Sequence, residues 1–230
     1  MTSFQRLSAL ALLPAALLLG GCATKAPVSA TYDFGPLPAP QAAATPATPA
    51  TPAAALAAAP IPALVIADVN GPASLDSNRM YYRLLYADAQ QARPYAHNSW
   101  SATPLQLLSQ RLRARVAQAG VKVLVTTDAA IGMPLLRLEA DDFSQNFDSQ
   151  ASSNGQVSLR ASLFRNHKLV DQRTFTRSTP APSADAAGGA RALAASSDAI
   201  AADILAWLAA LPPQQQSASQ QSLQPSATRP

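Results

Sequence analysis

Residues 157–177 read Val-Ser-Leu-Arg-Ala-Ser-Leu-Phe-Arg-Asn-His-Lys-Leu-Val-Asp-Gln-Arg-Thr-Phe-Thr-Arg. Val157, Leu159, Ala161 and Leu163 alternate with Ser158, Arg160 and Ser162, the period-two pattern of a strand with one buried face. Asn166-His167-Lys168 supplies turn residues, and a second strand is expected over Leu169–Arg177. A hairpin with one apolar face needs something laid across that face.

Upstream, Leu135–Phe147 reads as another strand, but its phase slips. Leu136, Leu138 and Ala140 share one face, and Phe143 and Phe147 fall on the other. A bulge near Asp141-Asp142 accounts for the slip. Leu64–Val69, Arg79–Tyr86 and Val121–Val125 read as further strands, and residues 87–99, polar and irregular, as a loop. Two covers are available. Thr103 caps a helix with Pro104 in its first turn and Gln106 closing a capping box. Leu105, Leu108, Leu112 and Val116 recur at helical spacing, and Gly120 suits a left-handed C-terminal cap. The spacing predicts a helix over 103–119. After a Pro/Ala/Gly loop, Leu193, Ile200, Ile204, Trp207, Leu208 and Leu211 mark a second amphipathic helix, ended by Pro212-Pro213. Neighbouring strands joined by hairpins, with two helices on one face, make a single-domain α+β fold with a mainly antiparallel sheet.

Outside that core the composition changes. Arg6 precedes an apolar run over 7–19 that is too short to span a bilayer, followed by Leu19-Gly20-Gly21-Cys22. The pattern is that of a signal peptide. Leu-Gly-Gly-Cys resembles the lipobox of bacterial lipoproteins, which implies acylation of Cys22, the only cysteine. Residues 36–62 are nearly all Ala, Pro and Thr, and residues 214–230 are mostly Gln, Ser, Pro and Ala with one arginine. Neither stretch has the apolar side chains to offset ordering entropy. The expected division is 1–21 signal peptide, 22–63 lipidated N-terminus with a short first strand at about 31–35 and a linker, 64–212 folded domain, and 213–230 tail. If that first strand joins the sheet, the tether from Cys22 is roughly 30 Å; if not, the reach rises to roughly 130 Å.

The residues offer no chemistry. A net charge of +4 comes from few acids rather than many bases, and the basic residues are scattered; this argues against nucleic-acid binding. His97 and His167, in a polar loop and at a hairpin tip, are ordinary solvent positions, and two isolated histidines with a lipidated cysteine cannot build a zinc shell. Asp141 and Asp142 would point to opposite faces of a regular strand. No nucleophile elbow or phosphate loop occurs. No catalytic residue, cofactor or metal is expected. Arg111 and Arg115 share a helix face and Arg113 points away; all three are expected on a solvated outer surface.

Several segments together resemble the ABC-type transport auxiliary lipoproteins, the group of the paraquat-inducible intermembrane-transport lipoprotein. They are Tyr32-Asp33-Phe34-Gly35-Pro36-Leu37, Leu64–Val69, Leu75-Asp76 with Asn78–Arg83, and Tyr95–Trp100 leading into Pro104-Leu105. The resemblance implies a non-enzymatic lipoprotein, held to a membrane by its acyl chains and facing the periplasm. Its implied partners are an MCE-domain protein with an ABC permease and ATPase that move lipid between inner and outer membranes, and homo-oligomers occur in the family. Ala23 rather than aspartate follows Cys22, which favours the outer membrane. Leu75, Asp76, Trp100 and Pro104 are the expected fold or docking positions. The competing reading is a structural or assembly lipoprotein of the cell envelope.

Overall fold

The computed structural model describes residues 29–39, 61–128 and 131–212. Cys22, the leader, most of the Ala/Pro linker and the Gln-rich tail lie outside them. Among the described residues there are eight strands: β1 (Ala30–Tyr32), β2 (Ala63–Ile66), β3 (Arg79–Leu84), β4 (Asp88–Trp100), β5 (Lys122–Leu124), β6 (Leu135–Phe147), β7 (Ser153–Arg165) and β8 (Lys168–Pro180). Two helices complete the fold, α1 (Pro104–Gln118) and α2 (Ala186–Ala210), with a 3-10 turn at Ala73–Leu75.

The quoted hairpin forms as its pattern requires. β7 alternates between buried and half-buried residues along its length. It pairs antiparallel with β6 and β8 over long registers. Asn166 and His167 both adopt positive φ at the turn, a conformation the short polar side chain of asparagine tolerates. The ladder of β6 against β7 shifts between Ala140 and Asp142, where the phase of the apolar residues slips.

β6 organises the sheet because its other edge serves two neighbours in turn. β2 runs parallel to its first residues, through Val65–Leu135 and Ile66–Leu136. β3 runs parallel to its last, through Tyr82–Gln145 to Leu84–Phe147. Between them the backbone of Asn70 bridges Glu139. The sheet therefore forks: β5 extends the β2 branch, and β4 then β1 extend the β3 branch. The long ladders are antiparallel as expected, and short parallel pairings of β1, β2, β3 and β5 make the sheet mixed.

Residues 87–99, expected as a loop, are mostly strand β4. Up to His97 most of it is exposed, so no continuous buried face imposes a hydrophobic period, and the ladder to β3 decides its conformation. Pro94 sits where a strand can lack a donor, on a stretch that only β3 pairs. β1 covers β4 only over Asn98–Trp100.

Both helices lie on the same face. Thr103 and Gln106 form the reciprocal capping box, each backbone N–H donating to the other's side-chain oxygen at 3.3 Å, and Gly120 takes φ +87° beyond the C-terminus. Ser109 Oγ accepts from Val69 N–H at 2.8 Å, tying α1 to the chain after β2. α2 begins earlier than its apolar marks suggest, with Asp185 as N-cap and Gly188-Gly189 inside the first turns rather than in a loop. The small residues serve contact: a Cβ at Gly189 would collide with the Gln145 side chain, and one at Gly155 would sit 2.5 Å from Leu193 N. α2 is long and apolar enough to cross a bilayer by composition, yet over half of that window is buried against the sheet. Ser196 Oγ donates to Gly155 O at 2.7 Å, Trp207 Nε1 donates to Asp171 at 2.8 Å, and Arg177 pairs with Asp203.

Gly155→Ala should destabilise the fold by about 3 kcal/mol, the upper end for overpacking, because helix backbone cannot swing aside as a side chain would. Ser158→Ala on the solvent face should stay within about 0.5 kcal/mol. Urea unfolding of the two variants checks both.

Candidate functional site

The expected positions Leu75, Trp100 and Pro104 come together. They line one small pocket with Met80, Phe143 and Leu193. Trp100 is 3% exposed and Leu75 8%, so both indole and isobutyl groups are core. The Trp100 ring meets Phe34 edge-on at 6.0 Å and Phe143 at 5.6 Å. Pro104 is the buried first residue of α1. Asp76, by contrast, is exposed and closes the 3-10 turn through its N–H to Ala73 O. Beside this cluster a groove of about 360 Å³ opens, lined by Pro72, Leu75, Tyr81, Arg83, Asp141 and Asp142.

The bulge in β6 gives the two aspartates separate partners. Asp141 lies 3.6 Å from Arg160, which also pairs with Glu139 at 2.7 Å. Asp142 accepts from Gln156 Nε2 at 2.8 Å and Ser144 Oγ at 3.2 Å. Each carboxylate is thus committed to its own neighbours. His97 and His167 are exposed, and the described residues hold no cluster of three or more metal-ligating side chains.

The arginines of α1 are not a solvated outer surface. Arg111 is buried and Arg115 nearly so, and both grip the one carboxylate of Asp198 on α2. Arg111 donates from Nε at 2.6 Å and Nη2 at 2.8 Å; Arg115 donates from Nε at 2.7 Å and Nη2 at 2.5 Å. Their remaining donors reach the N-terminal segment. Arg111 Nη1 donates to Gly35 O at 3.1 Å, Arg115 Nη1 reaches Pro38 O at 3.4 Å, and Gln118 Nε2 donates to Pro38 O at 3.0 Å. Arg113, on its own face, binds Ile66 O at 3.0 Å and Asp68 at 2.9 Å. The sharing of a face by Arg111 and Arg115 is legible in their spacing. The burial is not, although one signal existed: Asp198 is the only acid among the small and apolar residues 186–202.

Two consequences follow for residues 29–39. Phe34 enters the core between Trp100 and Phe143, and β1 joins the sheet, slightly earlier than the expected 31–35. The folded body therefore reaches back beyond residue 64. Lys122 N–H holds Pro62 O at 3.0 Å just after α1, close in sequence to where Arg115 and Gln118 hold Pro38. Both ends of the 40–60 segment are thus fastened near the C-terminus of α1.

Burial raises the Asp198 carboxyl, but the hydrogen bonds from Arg115 and Arg111 outweigh it and hold the group below the usual carboxylate range. Asp185 is also held low, by the Gly188 N–H and the Ser183 hydroxyl.

The family model described as ABC-type transport auxiliary lipoprotein component matches residues 42–205, more than half of the chain. Among solved structures, a Xanthomonas campestris protein is 20% identical, with TM-score 0.55 over 63% of this chain and 81% of that one. An uncharacterized protein is 16% identical, with TM-score 0.60 over 79% and 99%. These likenesses show the fold. The PelC dodecamer from Paraburkholderia phytofirmans is 10% identical over 64% and 89%, and its TM-score of 0.37 carries nothing across. No curated protein matches the chain.

Removing Asp198 leaves Arg111 buried without its counter-charge. Asp198→Ala should cost about 3–5 kcal/mol, read by urea unfolding. A carboxyl titrating below its unfolded value contributes stability that is present above the unfolded pKa and lost as pH falls through the folded one. Stability should therefore drop as pH falls below about 4, and Asp198→Asn should show a smaller acid loss, Asp185 supplying part of the remainder. Trp100→Ala should cost about 3–5 kcal/mol by cavity formation, measured in the same way.

Proposed function

The chain belongs to the ABC-type transport auxiliary lipoprotein component family, and from that premise we propose that it is a non-enzymatic envelope lipoprotein, acylated at Cys22 and facing the periplasm. It supports an MCE-type ABC system that moves lipid between inner and outer membranes. The anchor is placed in the outer membrane, since Ala23 stands where an aspartate would signal inner-membrane retention. Homo-oligomeric assembly belongs to the same reading.

The observation that supports this best is the capture of residues 29–39 by the fold. β1 pairs with β4, and the Gly35 and Pro38 carbonyls are held by Arg111, Arg115 and Gln118. Cys22 stands eight residues before Ala30. At about 3.3 Å per extended residue they reach about 26 Å. That tether keeps the domain beside its membrane, the short case rather than the long one. The 40–60 segment then connects two points fastened at the same end of α1, so its length does not set the reach.

A mild-detergent pull-down of the tagged full chain, with partners identified by mass spectrometry and the eluted complex sized, tests the function. Recovery of an MCE-domain protein with its permease is expected. Recovery of cell-wall synthases or outer-membrane assembly proteins instead would replace it with the assembly-lipoprotein reading. Deleting residues 40–58 should leave partner recovery and lipid-transport phenotype unchanged; their loss would show that the segment is a working spacer.

A further inference from the structure

The large apolar side chains that stand exposed among the described residues fall at two opposite ends of the sheet. Leu85 (41% exposed) and Tyr86 (47%) form the turn between β3 and β4. Ile131 (98%), Met133 and Leu169 lie at the other end. The registers fix the opposition. Leu84 pairs with Phe147 at the close of β6, whereas Leu135 at its start pairs with Phe164, which in turn pairs with Leu169.

β1 says which end the anchor approaches. It runs parallel to β4, with Ala30 beside Asn98. Followed backwards from Ala30, the chain leaves in the direction of the β4 residues that precede Asn98, and those lead to the β3–β4 turn. The ladder of β4 on β3 is bulged twice, so the stretch from Ser99 to Asp88 spans only the length of β3 from Arg79 to Leu84, five residue steps or about 17 Å; the eight steps from Ala30 back to Cys22 reach about 26 Å. The β3–β4 turn is thus within reach of an anchor at Cys22, in the direction from which β1 enters the sheet. The opposite end lies the other way along the sheet.

The turn is built to hold these two side chains out. Leu85 N–H donates to Phe147 O at 2.9 Å, and Ala87 N–H donates back to Leu84 O. Arg83 Nη1 donates to the Ala89 and Gln90 carbonyls at 3.2 and 3.1 Å, spanning the hairpin. Asp88 in the hairpin accepts from Gln90 N–H at 2.9 Å. A leucine next to a tyrosine, one wholly apolar and one with a polar end, is the pairing that partitions to the boundary between head groups and acyl chains.

We propose that the β3–β4 turn, through Leu85 and Tyr86, seats in the lipid interface of the membrane that holds Cys22, standing the domain upright with Ile131, Met133 and Leu169 directed away from that membrane. The occupant is a lipid surface. The proposal rests on acylation at Cys22, as read under Proposed function. Acyl chains fix the distance, and the turn adds a second contact that fixes orientation.

Acylation of Cys22, the only cysteine, leaves the purified chain without a free thiol, so a single introduced one is labelled uniquely. Full-length acylated Tyr86→Cys, Leu85→Cys and Leu169→Cys proteins, each carrying an environment-sensitive fluorophore, are reconstituted into phosphatidylethanolamine–phosphatidylglycerol vesicles containing doxyl lipid. The expected result is several-fold stronger doxyl quenching at positions 85 and 86 than at 169, with a blue-shifted emission. Equal quenching at both ends overturns the proposal, because a freely tumbling domain would give it. Shielding of the 85 and 86 labels from aqueous iodide without doxyl quenching also overturns it, since protein rather than lipid would then cover the turn. Intact mass separates the two readings. An acylated protein with unquenched tip labels refutes the orientation alone, and a chain without acyl mass refutes the anchor and the orientation together.

Discussion

A single carboxylate, Asp198, sits between two guanidinium forks, and the arrangement of the domain hangs on it. Arg111 and Arg115 approach from successive turns of α1 and Asp198 from α2, so the cluster sets the register of one helix against the other. Burying one negative and two positive charges is costly unless their hydrogen-bonding capacity is met. Here the surplus donors are met by main-chain carbonyls of residues 35 and 38. The N-terminal segment is thus the completing ligand of an internal ion cluster. That places Phe34 against Trp100 and Phe143, and β1 against β4.

The second constraint is the fork at β6. A strand whose one edge serves β2 and then β3 must change neighbours midway, and the change falls at Asn70-Gly71. Asn70 keeps the ladder going by bonding Leu138 and Ala140. Gly71 passes so close to Ala140 O and Leu105 that a Cβ would lie 3.1 and 2.9 Å from them. The 3-10 turn that follows delivers Leu75 beneath Trp100 and leaves Asp76 outside. The cluster of Leu75, Trp100 and Pro104 is therefore the point where the two branches of the sheet and the start of α1 are joined. Segments far apart in the chain are thus brought to one location in the core.

Much of this was legible in the residues. β7 and its hairpin show a strict period of two, the break in β6 shows as a slip in phase, and α1 carries its caps in plain view. β4 was not legible, because its mostly exposed first part has no hydrophobic period to read; Gln90, Gln91 and Pro94 resemble a loop until β3 supplies the partner. The start of α2 was missed for a related reason. Gly188 and Gly189 signal a loop locally, and only the tight seat of Gly189 on Gln145 makes glycine suitable there. The burial of Arg111 is a tertiary fact: a helix face reads as polar from its own composition, whatever lies opposite. Cys22, by contrast, is read from sequence alone.

The charge cluster also orders the domain in time. Chains are made from the N-terminus, so Ala30 emerges long before Asn98, its strand partner 68 residues later. Gly35 and Pro38 emerge before Arg111 and Arg115, and these in turn wait for Asp198, 87 residues beyond Arg111. Contacts of such separation form slowly, since a long loop must close before they return any stability. The first described residues to be made are thus among the last to be locked into the fold. Until the final helix arrives, residues 29–39 have no complete charge cluster to fasten them.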